Sequence, residues 1–259
     1  MITFEPMKLF FRQSGQGHPL IILHGLFGSS DNWYTLSKQF AQSYSVYVVD
    51  QRNHGQSPHS EEMNYGVLAE DLDNFISDLG LDQPIIIGHS MGGKTAMNFA
   101  VRFPHKLGKM VIVDIVPKAY PVHHDHILEG LHDIPLGHLA SRAEADALLS
   151  RHVPETDVRQ FLLKNLGRRP DGGFEWKINL TAIEENIEAL GEGMIYSGKH
   201  DGPCLFIRGE KSNYYAPGDE DRIRTIFPHA EIVTMDTGHW VQAEKPEEFA
   251  RVVLSYLAR

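Results

Sequence analysis

One serine stands in a setting that makes hydroxyls reactive. Gly88-His89-Ser90-Met91-Gly92 follows the apolar run Pro84-Ile85-Ile86-Ile87 directly and opens a helix-length segment that ends near Phe103. Strand, sharp turn and helix in that order form a nucleophile elbow. Such a turn needs small residues two positions before and two after the serine, lifts the hydroxyl above the strand ends, and aims a helix N-terminus at it. A serine hydroxyl is a weak nucleophile and requires a base. Among 15 histidines, position selects His239. It lies in Asp236-Thr237-Gly238-His239-Trp240, after the last β-branched run and before Lys245-Pro246-Glu247 opens the final helix. His24 and His54 also follow strands, but each belongs to a motif with another explanation. Acyl transfer further needs hydrogen-bond donors for the developing oxyanion. His24-Gly25-Leu26-Phe27-Gly28 follows the first long strand, and its glycines let main-chain amides turn inward. The expected pair is the N–H of Met91 with that of Leu26, Phe27 being the alternative to Leu26.

These groups meet only if their strands run side by side. Short apolar runs alternating with amphipathic segments predict a mostly parallel sheet with helices on both faces, an α/β fold. Residues 2–12 read as edge strands, followed by strands at Leu20-Ile21-Ile22-Leu23, Ser45 to Val49, Pro84 to Ile87 and Lys109 to Ile115. Helices are expected from a cap at Asp31 to about Gln42, over 65–79, and from the elbow to Phe103. The rhythm then changes, and residues 118–198 show helices without intervening apolar strands. Ser141-x-x-Glu144 and Thr181-x-x-Glu184 are capping-box patterns in this block, and Arg168 to Gly173 is a turn. Strands resume at Cys204 to Ile207 and Glu231 to Met235, with helices at about 219–227 and 246–258. The expected organisation is a core of residues 1–117 and 199–259, with 118–198 inserted as a helical lid.

The motifs HGLFGS (24–29), DQRNHGQS (50–57), GHSMGGK (88–94) and GHW (238–240) together resemble the α/β-hydrolase superfamily over essentially the whole chain. Within it, the chain is similar to small bacterial esterases of the YbfF type. The resemblance implies hydrolysis of acyl esters or acyl thioesters, acyl-CoA among them, by residues in the order serine, acid, histidine. The chain departs from the superfamily at the acid. Many members carry an aspartate shortly after the strand seen here as Leu205-Phe206-Ile207. This chain reads Gly209-Glu210-Lys211-Ser212, with serine in that place. An acid is still needed to hold the imidazole tautomer. Asp114, ending the preceding core strand, is the best substitute, and the YbfF-type resemblance implies it too; Glu210, Asp219 and Asp236 stay open. Ser212 is expected as an auxiliary group that hydrogen-bonds His239 or the acid. In DQRNHGQS, the Asp, Arg and Ser are expected to fix the loop and the next helix. Asn53 stands where many relatives have glycine.

The remaining signals bound the reading. A hydrophobic fraction of 42% with 22% charged residues suits a globular domain. A net charge of −10 disfavours nucleic acid as a partner. The single Cys204 suits a reducing, cytoplasmic compartment, and no run is long and apolar enough to insert in a membrane. Gly15-Gln16-Gly17 lacks the rest of a dinucleotide loop, and no Walker A sequence exists. His123-His124-Asp125-His126 lacks metal-ligand spacing, so neither metal nor organic cofactor is expected. The expected substrate is a short- to medium-chain carboxylic ester or thioester. A carbon–carbon bond hydrolase or lactonase on the same scaffold, and a non-catalytic ligand-binding homologue, are the rival readings.

Overall fold

Apolar runs bounded by turn residues form the sheet, and the amphipathic segments between them cover it. The computed structural model describes residues 7–121 and 124–259. The start of the edge region expected over 2–12, and His123 of the histidine cluster, lie outside them. The first elements of the described residues are β1 (Phe11–Ser14), β2 (Pro19–Leu23), α1 (Tyr34–Phe40), β3 (Ser45–Val49) and α2 (Tyr65–Asp78). It continues with β4 (Ile85–His89), α3 (Met91–Arg102) and β5 (Lys109–Val113). A separate run follows: α4 (Asp125–His132), α5 (Arg142–Leu149), α6 (Thr156–Leu163), β6 (Leu166–Arg168), β7 (Phe174–Trp176), α7 (Leu180–Glu185) and α8 (Ile187–Gly191). Last come β8 (Cys204–Gly209), α9 (Asp219–Ile226), β9 (Ala230–Met235), α10 (Val241–Glu244) and α11 (Pro246–Leu257).

Seven strands of the described residues form one sheet in the order β1-β3-β2-β4-β5-β8-β9. Among the described residues, only β1 runs antiparallel to its neighbour in this sheet. A parallel sheet delivers the loops that follow its strands to a single rim. His24 after β2, Asp50 after β3, Ser90 after β4, Asp114 after β5, Ser212 after β8 and His239 after β9 therefore share that rim. β3 and β4 flank β2 on opposite sides, so the order reverses there, where such sheets open a crevice.

Strand residues alternate between two apolar layers. Ile21, Leu23, Ile86, Ile112 and Phe206 pack with α2, α3 and α9, while Leu20, Ile22, Ile87, Val111 and Ile207 pack with α1 and α11. A third cluster gathers Leu131, Leu149, Leu162 and Ile183 from the stretch between β5 and β8. It reaches Phe27, Tyr65 and Met91 at the rim.

Local details differ from expectation in three places. Asp31 lies inside a 3₁₀ turn, Ser30–Trp33, that Ser29 begins; Asn32 accepts the Ser29 amide at 2.7 Å, closing a capping box with amide instead of carboxylate chemistry. Ser141 caps α5 by accepting the Glu144 amide at 3.1 Å. At α7, however, Asn179 is the cap and Thr181 sits in the first turn. Finally, β6 and β7 form a two-stranded antiparallel hairpin around the Arg168–Gly173 turn, where no strand is expected. Among the described residues, no helix is long and apolar enough to cross a membrane.

Candidate active site

Ser90 follows β4 at φ 52°, ψ −116°, a conformation that non-glycine residues rarely adopt. Close approach on both sides explains the flanking glycines. A Cβ at Gly88 would fall 2.3 Å from the Gly92 carbonyl oxygen, and one at Gly92 would fall 2.4 Å from that of Leu23. The Ser90 amide donates to the Val113 carbonyl at 3.1 Å, which ties the elbow to the strand that carries Asp114.

Asp114 is also in the left-handed region, at φ 49°, and is fully buried. Its Oδ1 accepts the Gly209 amide at 2.8 Å. Its Oδ2 accepts both His239 Nδ1–H, at 2.7 Å, and the Ser212 hydroxyl. Ser212 Oγ in turn accepts the Tyr214 amide at 3.2 Å. Because a carboxylate only accepts, His239 carries its proton on Nδ1 and presents Nε2 as the basic nitrogen when neutral. Tyr214 stacks on the imidazole with centroids 3.9 Å apart and planes at 13°.

The other candidate acids are engaged elsewhere. Glu210 is exposed. Asp219 is buried against Lys118, and exposed Asp236 pairs with Lys211 at 2.6 Å.

Leu26 and Met91 line a cavity of about 310 Å³ together with Ser90, Tyr65, Lys94 and Tyr120. Phe27 is removed as an amide donor, since its N–H is held by His54 Nε2 at 3.2 Å. His54 must then donate through Nδ1, which it does to the Arg52 carbonyl at 2.9 Å. His24 is held in the same way, donating from Nδ1 to the Gly25 carbonyl at 2.8 Å and accepting the Gln51 amide on Nε2 at 3.0 Å. Burial lowers the pKa of His24 to about 4 and that of His54 to about 3.

The rest of DQRNHGQS fixes the loop. Asp50 accepts the amides of Ser30 at 2.6 Å and Gln56 at 2.9 Å, and the Ser57 hydroxyl donates to the Asp50 carbonyl. Arg52 reaches Asp71 on α2 through two hydrogen bonds of 2.6 and 2.9 Å. Asn53 sits at φ 64°, a left-handed position that glycine fills freely and asparagine tolerates.

Several neighbours were not foreseen. Tyr214 has no local pattern to announce it. Lys94, the last residue of GHSMGGK, lies one turn past Ser90, buried in the cavity wall. Its ammonium donates to the carbonyls of Gly191, at 3.2 Å, and Glu192, and burial lowers its pKa to about 8. The i, i+4 spacing from Ser90 is the signal that could have pointed to it. Among the described residues, no group of three His, Cys, Asp or Glu side chains is placed to hold a metal ion.

The alpha/beta hydrolase fold family matches residues 18–134. The sn-1-specific diacylglycerol lipase ABHD11 of Mus musculus is 38% identical over 248 residues, which span 92% of this chain and 80% of that protein. Esterase YbfF of Escherichia coli (strain K12) is 36% identical over 97% of this chain and 99% of its own. The solved structure of a marine microorganism esterase superposes with a TM-score of 0.94 at 41% identity, covering 96% of this chain and 99% of that one. With its parallel sheet, its elbow and likenesses that span nearly its whole length, the chain belongs to the α/β-hydrolase family, beside members named esterase and lipase.

Proposed function

We propose that the protein is a serine hydrolase of short- to medium-chain carboxylic esters or acyl thioesters, acting through an acyl-enzyme. The observation that carries the reading is the 2.7 Å hydrogen bond from His239 Nδ1 to buried Asp114, on the same rim as the strained elbow of Ser90. Substrate enters between the core rim and the inserted 118–198 lid. His239 takes the proton of Ser90 as its oxygen attacks the acyl carbonyl. The amides of Leu26 and Met91 receive the oxyanion. Asp114 holds the imidazole tautomer and stabilises the imidazolium, and Ser212 steadies the shared carboxylate oxygen. His239 then protonates the leaving alcohol or thiol, and water activated by the same histidine clears the acyl group. The apolar cavity wall suits an alkyl acyl chain, and a reducing cytoplasm suits the lone, buried Cys204.

A screen of p-nitrophenyl esters, diacylglycerol and acyl-CoA thioesters of graded chain length tests the substrate class. Turnover confined to lactones or to carbon–carbon bonds would reject it. Fluorophosphonate labelling tests the mechanism. Labelling that Ser90→Ala removes is expected, and folded protein that never labels would favour a ligand-binding homologue.

A further inference from the structure

His89 is a buried histidine that the mechanism above does not use. It ends β4, pairs with Val113 beside the acid, and immediately precedes Ser90. Its Nε2 lies 3.0 Å from the main-chain carbonyl oxygen of His239. A carbonyl only accepts, so the proton of His89 is on Nε2. The two rings are 4.7 Å apart and tilted by 43°. On its other nitrogen the ring closes against the oxyanion loop: a Cβ at Gly25 would fall 2.9 Å from His89 Nδ1 and 3.3 Å from the Ser90 Cβ. Burial, aided by the nearby His239, holds the His89 pKa well below the usual histidine value.

We propose that His89 is a positioning residue that anchors the His239 loop to the nucleophile elbow through its Nε2–H···O=C hydrogen bond. The inference rests on the reading of His239 as the base. Asp114 fixes the far side of the imidazole through Nδ1, and Tyr214 covers a face. Neither restrains the main chain from which the ring hangs. His89 does, and it connects that main chain to the residue next to Ser90, so base and nucleophile share one rigid reference. A neutral ring serves this purpose where a cationic one would not: when His239 takes up the serine proton, a second positive charge 4.7 Å away would oppose it. The groups that face His239 are Asp114 from the end of β5, Tyr214 from the loop after β8, Trp240 from its own loop, and His89 from β4.

The test compares His89→Leu, which keeps bulk without a donor, with His89→Gln, which can place an N–H near the same point. His89→Leu should lower kcat for a p-nitrophenyl ester by between about tenfold and a hundredfold, leaving KM nearly unchanged. The rate of fluorophosphonate labelling should fall in parallel, and His89→Gln should recover most of both. Near-normal kcat in His89→Leu, or equal deficits in both variants, would overturn the proposal. If His89→Leu does not fold, nitrogen NMR of the wild-type histidines decides. An Nε2–H tautomer that stays neutral across about pH 5 to 8 is expected, and an Nδ1–H tautomer or a titrating ring would overturn it. If His239→Ala retains activity, the reading of the base fails instead, while the tautomer still reports on the hydrogen bond.

Discussion

His24 and His54 lie 5.0 Å apart in the loops after β2 and β3, and His89 and His239 lie 4.7 Å apart at the ends of β4 and β9. Both pairs occupy the same rim. In the first, every ring nitrogen meets main chain, and both rings are fully buried. In the second, one ring meets a carboxylate and keeps 18% of its side chain exposed. The difference teaches that what a rim histidine can do is set by what its nitrogens face. Main-chain partners fix a tautomer and burial keeps the ring neutral, which suits a brace. A carboxylate on Nδ1 with an accessible Nε2 suits proton transfer.

The contrast is broken most easily by removing the proposed chemistry. Ser90→Ala and His239→Ala should each lower kcat for a p-nitrophenyl ester by about 10⁴-fold or more, with melting temperatures within a few degrees of wild type. Activity near normal in either would erase the distinction between the pairs. Next in size, Asp114→Asn should cost about 10³-fold in kcat while Glu210→Gln leaves it unchanged; steady-state kinetics of the two variants side by side would expose the reverse assignment.

The scaffold pair should respond in stability. The folded-state pKa values of His24 and His54, about 4 and about 3, lie below the unfolded value of 6.5. Between those values the unfolded chain binds protons that the native chain does not. Stability is therefore complete above about pH 6.5 and lost on acidification, by on the order of 3 kcal/mol per ring. Urea unfolding at stepped pH checks this, and His54→Gln should make the dependence shallower. Smallest is Ser212→Ala, which should lower kcat about fivefold, or roughly 1 kcal/mol, the net worth of a typical hydrogen bond. An effect as large as that of Asp114→Asn would promote Ser212 from support to partner.

Much of this site was legible in the residues because its signals are local. An elbow requires glycines close to its serine, and GHSMG carries them. The place of His239 after a strand, and Asp114 as the acid implied by the serine at position 212 together with the YbfF-type resemblance, are legible as candidates, and the fold brings the two side chains within 2.7 Å. What escaped depends on contacts between distant loops. Tyr214 stacks on His239 because the segment after β8 folds back, and no periodicity encodes that. The β6–β7 hairpin has strands of three residues, too short for an alternating pattern to register. The caps at Ser29 and Asn179 each lie two residues before the expected Asp31 and Thr181, because the backbone geometry that admits a capping side chain is set by the chain before it.

The pairing of β5 with β8, Met110 opposite Cys204 and Val113 opposite Ile207, has a consequence for how such proteins diversify. Parallel neighbours need a crossover in any case, and loop entropy rises by only about 0.6 kcal/mol for each doubling of its length. The whole excursion between these two strands can thus drift, grow or be transplanted from a cousin while the strand order stays intact. Whatever that excursion selects is heritable separately from the side chains at the strand ends.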